Sequence, residues 1–209
     1  MSPMIKAIIF DLDGVLCDCC EIHYRALNKA LKKTCGFEID RAEHDLRFNG
    51  LPTRVKLATL SKQERVLDNQ VEKIYDLKQS YTETEIDAAM LYDSKKYDMI
   101  QQLRRKDYRL GVVTNCSKST AIQMLRKLTL VESPMYFFST VITNENVRFP
   151  KPHPEGYIKA MVNLRQYPEE TLILEDNENG IVAAHATGAN VVKVDDVKDV
   201  TLEFVMRYL

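Results

Sequence analysis

The chain lacks a basic excess, a long apolar run, an internal repeat and a low-complexity tract. Its formal net charge is −1, which gives no electrostatic basis for binding nucleic acid or an anionic membrane surface. The first apolar run, Ala7 to Phe10, is interrupted by Asp11 and is too short for a signal peptide or a spanning helix. We therefore expect a cytoplasmic protein with neither nucleic acid nor membrane as a partner.

The cysteines also argue against an oxidised, secreted protein. There are five, an odd number, and Cys17, Cys19 and Cys20 crowd together in a poor disulfide framework. A zinc site is the alternative interpretation, but such sites usually pair two clusters, and Cys35 and Cys116 are isolated. We expect reduced thiols at the start of a helix.

What the chain does contain is typical of a packed α/β protein. Hydrophobic residues make up 45% of 209 residues, enough for one sizeable core and a small accessory domain. Short runs rich in Val, Ile and Phe, mostly without polar alternation, are typical of parallel strands buried on both faces. Helical patterns separate the later runs, which predicts a Rossmann-like parallel sheet. The predicted strands are Ile5–Phe10, Arg109–Thr114, Phe137–Thr143, Thr171–Glu175 and Asn190–Val194.

Residues 17–88 contain no convincing strand. They show helical apolar faces instead, on both sides of a loop near residues 49–53. We predict an α/β catalytic core from residues 1–16 and 89–209, with an all-helical cap domain at 17–88 inserted after the first strand. The two apolar faces consist of Ile22, Ala26, Ala30 and Leu31, and of Val71, Ile74, Leu77 and Tyr81.

Polar side chains follow four of the predicted strands where each strand ends. In an open parallel sheet, ligands bind beyond these carboxyl ends, so the side chains should meet at one edge. Phosphoryl transfer needs an in-line nucleophile, a proton-transfer group and cations around the phosphoryl oxygens. A carboxylate can be that nucleophile, and acids beside it imply a hard cation such as Mg²⁺. The candidates are Asp11 and Asp13, Thr114 and Asn115, Lys151, and Glu175 and Asp176.

These residues lie in segments that resemble the four motifs of the haloacid dehalogenase superfamily. The segments are FDLDGVL, TN, the lysine of KPHPEGY, and EDNENG, in that order along the chain. The resemblance implies that Asp11 is the nucleophile and Asp13 the general acid/base. It implies that Thr114 hydrogen-bonds the phosphoryl group, that Lys151 holds this group and Asp11 in place, and that Asn115 contacts substrate.

The same resemblance implies a magnesium site. Asp11, Asp176 and the carbonyl group of Asp13 would ligate the ion, with Glu175 beside it or on its water. The acid at Asp13 also favours a phosphate enzyme, because the branch of the superfamily that cleaves carbon–chlorine bonds lacks an acid there and uses no magnesium.

Within the superfamily the chain resembles phosphoglycolate phosphatase and β-phosphoglucomutase. DGVLCDCCEIHYRAL places His23 where that branch has a histidine, and NGLPTR places Arg54 in its cap substrate loop. We expect both to bind substrate; the alternatives are a half-buried surface histidine and a solvated arginine. The chain departs from the family pattern at Pro150, where glycine is usual, and at Asp93-Ser94, where proline and glycine are usual.

Three functions remain open from the sequence. A phosphatase would let water attack the aspartyl-phosphate, whereas a sugar-phosphate mutase would use a second substrate hydroxyl. The mutase resemblance expects a tryptophan shortly after the histidine, but the chain has no Trp and carries Leu27 there, which favours the phosphatase. A non-catalytic binding protein is disfavoured because the motif acids and lysine are intact. We expect a monomer or weak dimer that acts on a small phosphorylated metabolite.

Overall fold

The computed structural model describes residues 4–209, which divide into two compact units. Residues 4–18 and Leu91–Leu209 form the first unit, and Cys19–Met90 form the second. In chain order the strands are β1 (Ala7–Phe10), β2 (Arg109–Val113), β3 (Thr140–Ile142), β4 (Thr171–Glu175) and β5 (Asn190–Lys193). The helices are α1 (Cys20–Cys35), α2 (Arg41–Arg47), α3 (Thr53–Lys62), α4 (Val71–Ala89), α5 (Ser94–Arg105), α6 (Lys118–Thr129), α7 (Glu155–Leu164), α8 (Glu178–His185) and α9 (Leu202–Met206). Within residues 4–209, no helix combines the length and apolar character needed to cross a bilayer.

The first unit is built on a five-stranded parallel sheet with the order β3-β2-β1-β4-β5. Ala7 and Ile9 of the central strand join a buried cluster with residues of α7 and α8. The alternate residues Ile8 and Phe10 are equally inaccessible to solvent. Both faces of β1 are therefore covered, which explains its continuous apolar sequence, and the predicted α/β fold is confirmed.

The register of the sheet sets the level of the site. Phe10, the last residue of β1, pairs with Val112 on one side and Leu174 on the other. The amide of Asp11 donates to the carbonyl oxygen of Leu174 at 2.9 Å. The chain therefore leaves β1 at the level where β2 and β4 also end.

The predicted start of the third strand at Phe137 is wrong. Pro134–Tyr136 form a short 3₁₀ turn, and the amides of Phe137 and Phe138 donate to the carbonyl oxygen of Pro134 at 2.9 and 3.0 Å. Those amides are unavailable to a neighbouring strand, so β3 begins only at Thr140. The two phenylalanines are nevertheless buried, which is why their sequence resembles a strand.

The second unit consists of α1 to α4 around its own apolar core. Asn28 joins α1 to the following loop, since its amide group donates to the carbonyl oxygen of Ile39 and accepts from the Ile39 amide, both at 2.8 Å. Gly36 ends α1 in a left-handed conformation with φ of 77°. The buried cluster comprises Leu27, Ala30, Leu31, Ile39, Phe48, Leu57, Leu60, Val66 and Ile74.

Candidate active site

Asp11 and Lys151 form a buried ion pair at the carboxyl end of β1. The Lys151 ammonium donates to Asp11 Oδ1 at 2.6 Å, to Glu175 Oε2 at 2.7 Å and to the carbonyl oxygen of Val113 at 2.9 Å. An ammonium group has three N–H donors, and each has an acceptor here. Burial opposes the charge on Lys151, but the adjacent carboxylates raise its pKa above the ordinary 10.5. A fixed positive charge therefore lies against Asp11.

Asn115 holds the backbone of Lys151. Its Oδ1 accepts from the Lys151 amide at 3.2 Å, and its Nδ2 donates to the Lys151 carbonyl oxygen at 3.3 Å. Asn144 in turn donates to the carbonyl oxygen of Asn115 at 3.1 Å. The motif asparagine thus joins the end of β2 to the loop that carries the lysine, a role the sequence did not predict.

Thr114 lies directly after β2 and is buried. Its amide extends the β2–β3 pairing by donating to the carbonyl oxygen of Ile142 at 2.9 Å. Its hydroxyl oxygen accepts from the amide of Cys116 at 3.1 Å. A hydroxyl that accepts a hydrogen bond still has its own proton to donate, so Thr114 has the chemistry to hydrogen-bond an anion.

Glu175, the last residue of β4, is fixed from three sides. Besides Lys151, the hydroxyl of Tyr157 donates to Oε2, and the amide of Asn177 donates to Oε1 at 3.2 Å. Gly180 in α8 leaves room for this carboxylate, because a Cβ there would lie 2.0 Å from Glu175 Cδ. The sequence motifs do not indicate Tyr157 as part of the site, nor this use of Gly180. A buried tyrosine hydroxyl needs a polar partner, so a tyrosine on the apolar face of α7 was the available signal.

Asp11, Glu175 and Asp176 form an acidic cluster. One carboxylate oxygen from each lies within 4.8 Å of the others, and this group contains no cysteine. Burial first, and then the charge of Glu175, raises the pKa of both Asp11 and Asp176 well above the ordinary range. Asp176 Oδ1 is buried without a hydrogen-bond partner among the described residues. Lys151 alone does not balance these carboxylates, so the donor set fits a divalent cation with oxygen ligands.

Asp13 lies two residues beyond Asp11 in a tight turn. The amide of Gly14 donates to the carbonyl oxygen of Cys17 at 2.7 Å, which closes the turn. Gly14 has φ of +94°, and a Cβ there would lie 2.2 Å from Asp176 Oδ2. The negative charge of Asp13 contributes to the raised pKa of Asp176. The turn therefore brings Asp13 near the acidic cluster, and its glycine allows Asp176 to approach.

Two predicted substrate residues lie in the second unit. On α1, His23 has its Nδ1 3.3 Å from the Lys78 ammonium. Burial and the nearby positive charges of Lys78 and Lys56 lower its pKa well below the ordinary value, so the imidazole is neutral. On α3, Arg54 makes a bidentate ion pair with Glu72, at 2.5 and 3.1 Å.

The comparisons with known proteins agree with this geometry. A family model described as haloacid dehalogenase-like hydrolase matches residues 8–194. The pyrophosphatase PpaX of Anoxybacillus flavithermus is 32% identical over 190 residues, covering 91% of this chain and 83% of the relative. The crystal structure of CbbY from Rhodobacter sphaeroides in complex with phosphate has a TM-score of 0.81 at 25% identity, covering 90% of this chain and 85% of that one.

A second solved structure, β-phosphoglucomutase from Clostridium difficile, has a TM-score of 0.79 at 22% identity and covers 98% of this chain and 96% of that one. This likeness concerns the fold alone.

Proposed function

Since the chain belongs to the haloacid dehalogenase-like hydrolases, we propose that it is a magnesium-dependent phosphatase of a small phosphorylated metabolite. The family predicted from the sequence motifs is confirmed, and the predicted enzyme class, a phosphohydrolase, is supported by the pyrophosphatase relatives. The observation that carries the proposal is the Asp11–Lys151 pair, at 2.6 Å, beside Glu175 and Asp176.

Asp11 is the nucleophile of the proposed reaction. Its carboxylate oxygen attacks phosphorus, an O–P bond forms, and the bond from phosphorus to the leaving oxygen breaks. Asp13 gives its proton to that leaving oxygen. Asp13 then takes a proton from the water that attacks phosphorus, and the acyl–phosphate bond breaks to release Asp11 and inorganic phosphate. Lys151 and the Thr114 hydroxyl hold the phosphoryl oxygens during both steps.

The residues that would hold Mg²⁺ are Asp11, Asp176 and the carbonyl group of Asp13, with Glu175 beside the ion. When bound, Mg²⁺ supplies positive charge that offsets the phosphoryl oxygens and the clustered carboxylates. The support from this chain is the buried Asp176 Oδ1 with no hydrogen-bond partner among the described residues. Raised pKa values at Asp11 and Asp176 support the same assignment, because both carboxylates need further positive charge to ionise.

The substrate class follows from the relatives and remains a proposal. The PpaX proteins are named as pyrophosphatases, so inorganic pyrophosphate is a first candidate beside phosphoglycolate and sugar phosphates. Water is the proposed acceptor rather than a second substrate hydroxyl. Leu27 stands where the mutase resemblance expects tryptophan, and it belongs to the apolar core of the helical unit.

The helical unit is proposed to act as a cap. Closure of a lid of this kind excludes bulk water and gates turnover. Arg54 would then bring a positive charge to the end of the substrate remote from the reacting phosphate, and His23 would contact substrate as a neutral imidazole. We further propose that the protein is a cytoplasmic monomer or weak dimer and that neither nucleic acid nor a membrane is its partner.

The test is a phosphate-release screen over pyrophosphate, phosphoglycolate and sugar phosphates, with magnesium or with excess chelator. Asp11→Asn should abolish release, because an amide cannot form the acyl-phosphate. Asp195→Asn is the matched control, since it removes the same charge from a side chain that is 84% exposed. Residual activity of Asp11→Asn above about 1% of wild type, equivalent to only ~2.7 kcal/mol of lost transition-state stabilisation, would contradict the nucleophile assignment.

A further inference from the structure

A buried tyrosine hydroxyl lies in the site without a part in the proposed reaction. Tyr157 lies on α7 and its side chain is inaccessible to solvent. Its hydroxyl donates to Glu175 Oε2 rather than to a backbone carbonyl group. The same carboxylate oxygen contacts the active-site lysine, so Tyr157 is linked to the site through its hydrogen-bond acceptor.

Tyr157 and Lys151 share the same oxygen of Glu175. Lys151 Nζ lies 2.7 Å from Oε2, and the same nitrogen lies 4.8 Å from the centroid of the Tyr157 ring. The ring therefore limits where the ammonium can move, while the hydroxyl fixes its acceptor. Lys151 Nζ is in turn 2.6 Å from Asp11 Oδ1, so the chain of contacts ends at the nucleophile.

The other supports of Glu175 do not replace the hydroxyl. The Asn177 amide holds Oε1 only, at 3.2 Å. Gly180 provides space beside the carboxylate and donates nothing to it in the described contacts. Without the hydroxyl, Lys151 would be the single described donor to Oε2. The carboxylate could then rotate, which would weaken one of the three hydrogen bonds that hold the ammonium beside Asp11.

We propose that Tyr157 is a positioning residue of the reaction, acting through Glu175 to hold Lys151 against Asp11. The inference rests on the proposed phosphatase function and adds to it a residue that touches neither substrate nor the reacting atoms. The hydroxyl is the part of Tyr157 that holds Glu175. A phenylalanine at this position should therefore keep the packing of the ring and lose the positioning of Lys151.

The contact agrees with positioning rather than proton transfer. An ionised carboxylate oxygen only accepts hydrogen bonds, so the Tyr157 hydroxyl is the donor to Glu175 Oε2 and keeps its proton in this contact.

The first measurement compares Tyr157→Phe with wild type on whichever substrate the screen identifies. We expect kcat to fall about tenfold, the effect of losing one hydrogen bond to a charged group, with KM changed less than about threefold. Thr129→Val is the matched control: Thr129 is equally buried, and its hydroxyl donates to the Leu125 carbonyl oxygen at 2.7 Å within α6. That control loses a buried hydroxyl and should keep full kcat.

A double-mutant cycle that combines Tyr157→Phe with Glu175→Ala then tests whether Tyr157 acts on Lys151 through Glu175. If Tyr157 acts through Glu175, Tyr157→Phe should lower neither kcat nor the free energy of unfolding further once the carboxylate is gone, because the hydroxyl has then already lost its acceptor. Independent losses in both readouts would overturn the inference, as would a Tyr157→Phe enzyme with more than half of the wild-type kcat. If Glu175→Ala turns over too slowly to measure, the kcat of Tyr157→Phe beside that of Thr129→Val decides. An inactive wild type overturns the proposed function instead, so the two failures are distinguishable.

Discussion

Gly180 offers the sharpest test of how the acidic cluster is held. An alanine Cβ at this position would lie 2.0 Å from Glu175 Cδ and 2.2 and 2.3 Å from its two carboxylate oxygens. Such distances are far inside van der Waals contact, so the buried carboxylate must move. It would then lose alignment with the Lys151 ammonium and the Tyr157 hydroxyl.

The magnitude of Gly180→Ala follows from two opposing effects. Replacing glycine by alanine within a helix normally stabilises by up to ~1 kcal/mol. Misplacing a buried carboxylate that accepts charged hydrogen bonds costs ~1.5–3 kcal/mol. We therefore expect net destabilisation of ~1–2 kcal/mol, and a fall in kcat of about tenfold because Lys151 is no longer fixed against Asp11.

Urea unfolding and steady-state phosphate release measure both effects on the same preparations. Val182→Ala, on the same helix at a position that is 50% exposed, is the control and should change stability by less than ~0.5 kcal/mol. A Gly180→Ala enzyme that gains stability and keeps full kcat would refute the reasoning, since Glu175 could then move aside without consequence for Lys151.

Three further predictions concern the cation, the cap and a buried lysine. Activity should vanish in excess chelator and return with Mg²⁺, while Ca²⁺ should inhibit because its looser coordination does not fit an octahedral arrangement; full activity in chelator would contradict this. Arg54→Ala should lower kcat/KM about ten- to a hundredfold on the cognate charged substrate and leave hydrolysis of p-nitrophenyl phosphate unchanged. Glu72→Ala, which keeps the arginine, should not lower kcat/KM on the cognate substrate. Equal losses of Arg54→Ala on both substrates would exclude a role for Arg54 at the end of the substrate remote from the reacting phosphate. Burial lowers the pKa of Lys96 from 10.5 to about 8, so the folded chain loses this proton before the unfolded chain does. Relative to Lys96→Met, the wild type should gain up to ~3 kcal/mol of stability in urea unfolding as the pH rises from 8 to 10.5. If the difference in free energy of unfolding between the two proteins stays constant over this range, the lowered pKa of Lys96 is refuted.

The central part of the site could be predicted because it depends on sequence order and strand ends alone. Asp11 follows an apolar run, and Glu175 and Asp176 end another. In a parallel sheet such ends meet at one edge. The structure brings these acids to the lysine of the third motif, although their catalytic roles remain predictions.

The parts that could not be predicted depend on contacts through space. A glycine within a helix gives no sign of which side chain lies against it, yet the missing Cβ of Gly180 makes room for the Glu175 carboxylate. Asn115 holds the Lys151 backbone, and Arg54 pairs with Glu72, which is 18 positions away and gives no local signal. The error at Phe137 had another cause: two buried aromatic residues have the same pattern whether they extend a strand or follow a turn begun by Pro134.

The central position of β1 has a consequence for the order in which the chain can fold during synthesis. β1 leaves the ribosome before both of its neighbours, because β2 and β4 follow only after the whole helical unit. Residues 19–90 contain their own apolar core, so that unit can become compact while the strand preceding Asp11 still has no partner in the sheet. Pairings between such distant segments are slow to form. An unpaired apolar strand in the nascent chain is therefore the segment most in need of protection from aggregation.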